Sequence, residues 1–555
     1  MRNFIFLLAL VLFIQCDPAP KTSIQAAVVS ARIEASEAGK TVMMQGGNAY
    51  DAMVAVSFAL TVVYPVAGNI TGGGFFVYRT AEGETGTLDY REMASLEATK
   101  DLYLDEDGDV IPKLSTVGGL AVGIPGAVAG ILEVHRKMGS LPLDQLLAPA
   151  IKLAEEGYIV SEKQANSFKR YRDLFIEVNG EDTFFAQEYK TGDRIINLPL
   201  GNTLKAIAAK GEAGFYQGWV AEAIVNKTQA TGGILSLDDL KAYTPKWRDP
   251  VKFDYKNLKV ISMAPPSSGG ICLGQMMQMI APYDLKKMGH NTAESMHLMI
   301  EAERRSYADR SHFLGDPDFV SVPQAHLIDK SYMSDRMLSY SPEKATPSSE
   351  VAHGDIIIVE SDETTHFSIV DKDGNAVSVT TTLNGAYGSK VYVDEIGVFM
   401  NNEMDDFSSK PGVPNMFALT GSEANSIVPK KRMLSSMTPT IVEKENQLYM
   451  VVGTPGGSTI ITSVFQTILN VYEHGMDMQA AVDAPRFHHQ WLPDIVVLEP
   501  NKFEDFVIND LNDKGHNLEA KYSRIIGKVD AILVDENGMI TVGADPRGDD
   551  AAATF

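Results

Sequence analysis

One nineteen-residue run constrains the fold more than any other: Thr364-Thr365-His366-Phe367-Ser368-Ile369-Val370, a turn Asp371-Lys372-Asp373-Gly374-Asn375, then Ala376-Val377-Ser378-Val379-Thr380-Thr381-Thr382. Both arms alternate apolar and polar residues, the period of a strand with two different faces. If Val370 pairs with Ala376 across the turn, Ile369 faces Val377 and Phe367 faces Val379. On the other face Ser368 meets Ser378, His366 meets Thr380 and Thr364 meets Thr382. A slip of one residue would set Phe367 against Thr380, so the pattern fixes one register. Two threonine hydroxyls then lie side by side at the open end of the hairpin.

The upstream residues change what Thr364 can be. Residues 341–363, SPEKATPSSEVAHGDIIIVESDE, are rich in Pro, Ser and acid. They read as a mobile linker ending at Glu363. Cleavage between Glu363 and Thr364 would leave Thr364 with a free α-amine. Such an amine titrates at about 7.7–8.0, so near neutral pH it can take the proton of its own hydroxyl.

Other segments supply partners for that chemistry, each with an ordinary structural alternative. Gly453-Thr454-Pro455-Gly456-Gly457-Ser458 joins an apolar strand to a helix. Its glycine N–H groups could form an oxyanion hole, or the turn could simply require glycine. NNEMDDFS carries Glu403 and Asp406, suited to an ammonium group or to capping a turn. Ser435 and Ser436 could hold a carboxylate or satisfy local backbone. Arg91, ending LDYR, could pair with a carboxylate. Together they describe a pocket for the zwitterionic end of an α-amino acid. GNITGGGFFVYR lacks the Lys-Ser/Thr of a phosphate loop and leads into a strand, so its glycines read as close backbone packing. His488-His489 has no third ligand at a metal-binding spacing, so no metal or cofactor is expected. The charges Glu301, Glu303, Arg304, Arg305, Asp309 and Arg310 on one long helix read as a solvated or salt-bridged face.

The chain opens with Arg2 and the apolar run Phe4–Ile14, then Gln15-Cys16-Asp17-Pro18. This is an export signal too short to span a bilayer, and Cys16 sits where a bacterial lipoprotein is lipidated. The expectation is a signal over 1–20 and an exported, periplasmic or membrane-anchored protein. Seventy-two acidic residues against 48 basic give a net charge of −24, which disfavours nucleic acid as a partner.

These motifs, in this order, resemble the γ-glutamyltranspeptidase (glutathione hydrolase) family of N-terminal-nucleophile hydrolases. The likeness runs through GGNAYDAMVAV, GGGFFVYR, LDYREMA, PPSSGG, YADRSHFLGDPDF, TTHFSIVDKDGNAVSVT, NNEMDDFSSKPGVPN, LSSMTPT, GTPGGS and APRFHHQWLPD. It implies an α+β fold, a four-layer αββα sandwich shared by a large subunit (21–363) and a small catalytic subunit (364–555) that stay together as a heterodimer. It implies Thr364 as the nucleophile freed by autoproteolysis after Glu363, Thr382 as its supporting hydroxyl, and Gly456 and Gly457 as the oxyanion hole. Arg91, Ser435 and Ser436 would hold the α-carboxylate; Asn384, Glu403 and Asp406 would make the remaining contacts, Asp406 to the α-amine. Substrates would be glutathione and related γ-glutamyl compounds, with water, an amino acid or a dipeptide as acceptor. Glu403 stands where many bacterial relatives carry Gln, Thr71 where a further Gly is common, and Phe417 where a lid tyrosine can occur. Same-fold alternatives are an acylase or a poly-γ-glutamate hydrolase; a different class would be a lipoprotein that binds peptides without catalysis.

Overall fold

The computed structural model describes residues 24–351, 364–410, 413, 415–416, 418–419, 421–519 and 526–555. Cys16, Glu363 and Phe417, and with them the signal, the cleavage peptide and the lid position, lie outside the described residues.

Two antiparallel sheets face each other. The first has seven strands in the order Ala551–Thr554, Ala27–Ser30, Thr365–Val370, Ala376–Thr382, Gly73–Arg79, Thr85–Asp89 and Lys246–Arg248. The second has six: Ile540–Ala544, Asp530–Val534, Gln447–Gly453, Thr440–Lys444, Leu258–Ser262 and Val251–Tyr255. Chain on both sides of position 364 supplies strands to both sheets. Cleavage there would therefore not separate two domains.

Strand alternation decides which side chains enter which layer. Phe367, Ile369, Val377 and Val379 pack outward with Phe76 and Tyr78 under the helices Ile33–Met44, Ala49–Val63 and Ala127–Met138. The helix Ala49–Val63 is apolar all round and buried along its whole length, as its sequence requires. Val29, Phe75, Val77, Ile261, Ile441, Val451 and Ile532 fill the space between the sheets. Beyond the second sheet, Val260, Val442, Met450 and Val452 pack against helices Gly269–Ile280, Ala293–Phe313 and Thr459–Tyr472. The layers are thus helix, sheet, sheet, helix, as expected.

The hairpin register is the one its alternation requires: Val370 opposite Ala376, Ser368 opposite Ser378, His366 opposite Thr380, with the ladder running to Thr365 opposite Thr381. Its polar face looks between the sheets. Ser368 Oγ donates to the carbonyl of Asp530, and Ser378 Oγ to that of Val452, both in the second sheet.

Two expectations are narrowed. Of the alternatives for the charges on Ala293–Phe313, the salt-bridged one holds and the solvated one does not. Glu301, Glu303, Arg304, Arg305, Asp309 and Arg310 are all buried. Glu301 pairs with Arg305 at 2.7 Å and Arg304 at 3.3 Å, and Arg304 pairs with Asp494. Only those that find partners or stay neutral can be buried at tolerable cost. Nor is the linker mobile from its start. Ala345, Thr346, Ser348 and Val351 are buried. Thr346 N–H donates to Glu301 at 3.0 Å, Ser348 N–H to Asp494 at 2.7 Å, and Trp491 Nε1 to the Ser348 carbonyl at 3.1 Å. The chain is held down to within a dozen residues of Glu363.

Candidate active site

Thr364 sits at the end of the central hairpin, 4% exposed. It lines a cleft of about 270 Å³ together with Arg91, Thr382, Asn384, Glu403, Asp406, Leu419, Ser435, Ser436, Met437, Gly457 and Ile460. Residues drawn from five separate stretches of sequence meet there. Of those singled out from sequence and described, Gly456 alone falls outside the lining, one residue back in the same turn. Larger grooves on the outer helices, around Asp144–Glu156, are lined by surface Lys and Glu chains and gather no comparable chemistry.

The glycines of GNITGGG bring Gly73–Arg79 close to the neighbouring strand Ala376–Thr382. A Cβ on Gly72 would lie 2.0 Å from the Thr382 carbonyl, and one on Gly74 would lie 2.5 Å from the Thr380 carbonyl. Thr382 is held on both sides: Asn69 Nδ2 donates to its carbonyl at 2.9 Å, and Asn384 N–H donates to its Oγ1 at 2.7 Å. A hydroxyl that accepts from backbone keeps its own proton to donate.

His366 lies on the same face as Thr364 and is the obvious side-chain base to consider. Burial pushes its pKa down to about 3, and its ring nitrogens are engaged by Thr380 Oγ1 at 2.9 Å and Ser368 Oγ at 3.1 Å. It is a neutral structural histidine. No histidine lines the cleft among the described residues.

Opposite Thr364 the helix Thr459–Tyr472 begins. Gly456 and Gly457 take φ of 135° and 52°, so the turn occupies backbone conformations that favour glycine. A Cβ at Gly456 would stand 2.5 Å from Thr459 Oγ1. Neither glycine N–H donates to a protein acceptor among the described residues. Gly457 and Ile460 both face the cleft, so the helix presents its positive end to it. Tyr307, from the buried helix behind, donates its hydroxyl to the carbonyl of Ser458 and fixes the turn.

The polar wall carries a dense charge cluster. Arg91 donates to Glu403 through Nη1 and to Asp406 through Nη2, the latter at 2.5 Å. Burial would depress this guanidinium, but the two carboxylates hold it above its ordinary value. Burial raises Asp406 despite Arg91, and raises Glu403 well above the carboxylate range. Glu92, fully buried behind Arg91 with a carboxylate oxygen 3.7 Å from Nη1, is pushed up to about 7 by burial. Sequence reasoning passed over Glu92 because it follows the conspicuous Arg91 and no pattern marks it. Within NNEMDDFS the roles divide. Asn401 bonds Thr71 and Gly123 backbone, Asn402 accepts from Gly385 N–H, and Asp405 accepts from Ser115 at 2.6 Å; only Glu403 and Asp406 reach the cleft.

Ser435 and Ser436 are set by the turn Pro265-Pro266-Ser267-Ser268. Ser435 N–H donates to the Pro266 carbonyl at 2.9 Å, and Ser268 Oγ donates to the Ser435 carbonyl at 2.7 Å. The segments PPSSGG and LSSMTPT, far apart in the chain, prove to be one structure.

Among known proteins, the sequence matches the gamma-glutamyltranspeptidase family over residues 35–555. It is 46% identical to a glutathione hydrolase proenzyme of Pseudomonas sp. strain A14 over 539 residues, covering 96% of this chain and 92% of that one. It is 42% identical to a glutathione hydrolase proenzyme of Escherichia coli K12 over 541 residues, covering 97% and 93%. A cephalosporin acylase structure from Bacillus halodurans superposes with a TM-score of 0.84 at 25% identity, covering 98% of this chain and 99% of that one. By sequence over nearly its whole length, and by fold, the chain belongs to the gamma-glutamyltranspeptidase family.

Proposed function

We propose that this protein hydrolyses and transfers the γ-glutamyl group of glutathione and related γ-glutamyl compounds, after cutting itself between Glu363 and Thr364. The observation that carries the reading is the single cleft in which Thr364, Thr382 and Gly457 face Arg91, Glu403, Asp406, Ser435 and Ser436. A nucleophile, an anion hole and a clamp for an amino-acid zwitterion occur together there.

In the precursor, Thr364 Oγ attacks the Glu363 carbonyl; the peptide C–N bond breaks as the ester forms, and water hydrolyses the ester. Thr364 then has an α-amine. In turnover that amine takes the hydroxyl proton while Oγ attacks the γ-amide carbon. The glycine N–H groups meet the oxyanion, each worth roughly 3–4 kcal/mol in comparable sites. The amine returns the proton to the leaving nitrogen. Water, an amino acid or a dipeptide then cleaves the γ-glutamyl ester. Asp406 and Glu403 suit the substrate ammonium, and the serine hydroxyls suit its carboxylate.

The large and small chains, 21–363 and 364–555, remain one heterodimer because both feed both sheets. Export with lipid attachment at Cys16 is part of the same proposal and rests on the leader alone.

Purified protein run under denaturing conditions should give two chains, the smaller beginning at Thr364, and Thr364→Ala should give one. Wild type should release glutamate from glutathione faster than from poly-γ-glutamate or side acid from an acylated β-lactam. A wild-type chain that stays whole, or one that prefers either alternative substrate, would overturn the reading.

A further inference from the structure

Eight arginines are buried among the described residues: Arg32, Arg79, Arg91, Arg304, Arg305, Arg310, Arg432 and Arg486. Seven pair with a carboxylate within 4.0 Å. Arg310 does not. It is 3% exposed, and its partners are two hydroxyls: Nε donates to Ser268 Oγ at 2.9 Å and Nη2 to Ser436 Oγ at 3.0 Å. An unpaired cation in the interior costs several kcal/mol, so the fold should supply it an anion.

The surrounding groups do not. Cys272 and Tyr307 stand nearby, but burial raises the thiol to about 11 and the phenol well above its usual value, so both are neutral. Asp406 lies near enough for its field to reach Arg310, but it is already bound by Arg91 at 2.5 Å and by Asn415 at 3.0 Å. Arg91 itself repels. Burial accordingly pulls the Arg310 guanidinium below its ordinary value.

The direction of the hydrogen bonds shows where the anion belongs. A guanidinium only donates, so both hydroxyls accept from Arg310. Ser268 spends its proton on the Ser435 carbonyl at 2.7 Å. Ser436 has no such acceptor among the described residues, and it lines the cleft. Its O–H is therefore left to point at the ligand, with a full positive charge behind its oxygen.

We infer that Arg310 is the counter-charge for the substrate α-carboxylate, acting through the hydroxyl of Ser436. It is a positioning and specificity residue: it touches no substrate atom, but it fixes Ser436 as a donor and neutralises the anion that Ser436 binds. The inference rests on the proposed γ-glutamyl reading of the cleft.

The test compares two substrates differing only in that carboxylate, L-γ-glutamyl-p-nitroanilide and 4-aminobutyryl-p-nitroanilide, on the full autocleaved protein. Wild-type turnover of the first tests the proposed function; the variants test Arg310. Arg310→Gln should lower kcat/KM for the γ-glutamyl substrate about 10- to 100-fold, the worth of a hydrogen bond to a charged group, mainly through KM. It should leave the decarboxylated substrate within about twofold, so the preference between them collapses. Arg310→Lys should restore part of that preference, and it carries the test if Arg310→Gln is not cleaved into two chains. In a Ser436→Ala background the Arg310 effect should vanish. An equal fall on both substrates, a loss confined to kcat, or an unchanged preference would overturn the inference.

Discussion

Gly72→Ala is the sharpest test of how the proposed nucleophile is placed, because the substitution adds one methyl and removes no proposed catalytic side chain. An ideal Cβ at Gly72 lies 2.0 Å from the Thr382 carbonyl oxygen and 2.7 Å from Asn69 Oδ1. A carbon–oxygen contact needs about 3.3 Å, so the strand must give by roughly 1.3 Å. It cannot give freely. Asn69 anchors the same carbonyl at 2.9 Å, and Gly73 pairs with Thr382 in the sheet. The displacement therefore passes to Thr382 and its neighbour Thr364. A misplacement of about 1 Å at a reacting group costs on the order of 100-fold in rate, or about 2.7 kcal/mol of barrier. Overpacking should cost a further ~1–3 kcal/mol of stability, which a chain of this size survives. The assay follows self-cleavage by denaturing electrophoresis and, on the cleaved fraction, γ-glutamyl-p-nitroanilide turnover, with circular dichroism confirming the fold. Slowed cleavage and a kcat reduced about 100-fold in a folded protein are expected. Cleavage and turnover within about threefold of wild type would refute the reasoning, since a shift of this size could not then govern the site.

Two further predictions concern stability, measured by urea unfolding of the uncleaved Thr364→Ala chain. Burial raises Asp530 well above the carboxylate range and Asp550 to about 7, and the two carboxyls lie against each other. The folded state then holds protons the unfolded state has lost, so the pair's contribution to stability is fully present below about pH 4 and is lost as pH rises through about 7. Asp530→Asn should flatten that fall, and an undiminished drop in midpoint between pH 5 and pH 8 would count against it. Arg79 and Glu443 form a buried pair at 2.7 Å that ties one sheet to the other. Arg79→Ala strands the carboxylate and should cost about 3 kcal/mol, whereas a loss under about 1 kcal/mol would mean the pair behaves like a surface bridge.

Some of this molecule is dictated by local sequence. The hairpin register follows from alternation, because only one pairing keeps Phe367 and Ile369 out of the polar face; that alone sets Thr364 beside Thr382. The buried helix Ala49–Val63 and the crowding role of Gly72–Gly74 are legible for the same reason: each depends on neighbours a few residues away. The identity of the site residues came from the order of motifs rather than from any one of them. What only the tertiary structure decides is everything that depends on distant partners. A row of charges on Ala293–Phe313 looks the same in sequence whether water or Asp494 answers it, so the pattern left solvated and salt-bridged open and the packing chose the second. Glu92 and Arg310 carry no pattern of their own. Their meaning lies in what packs against them: the Arg91 guanidinium for one, and for the other two hydroxyls with no carboxylate in contact. The linker is split by the same logic, fastened through Val351 by groups up to 172 residues away. At Thr364 the two contributions meet. The sequence set its strand partner and its face, and the packing of two sheets turned that face toward the Gly457 turn and the Arg91 clamp.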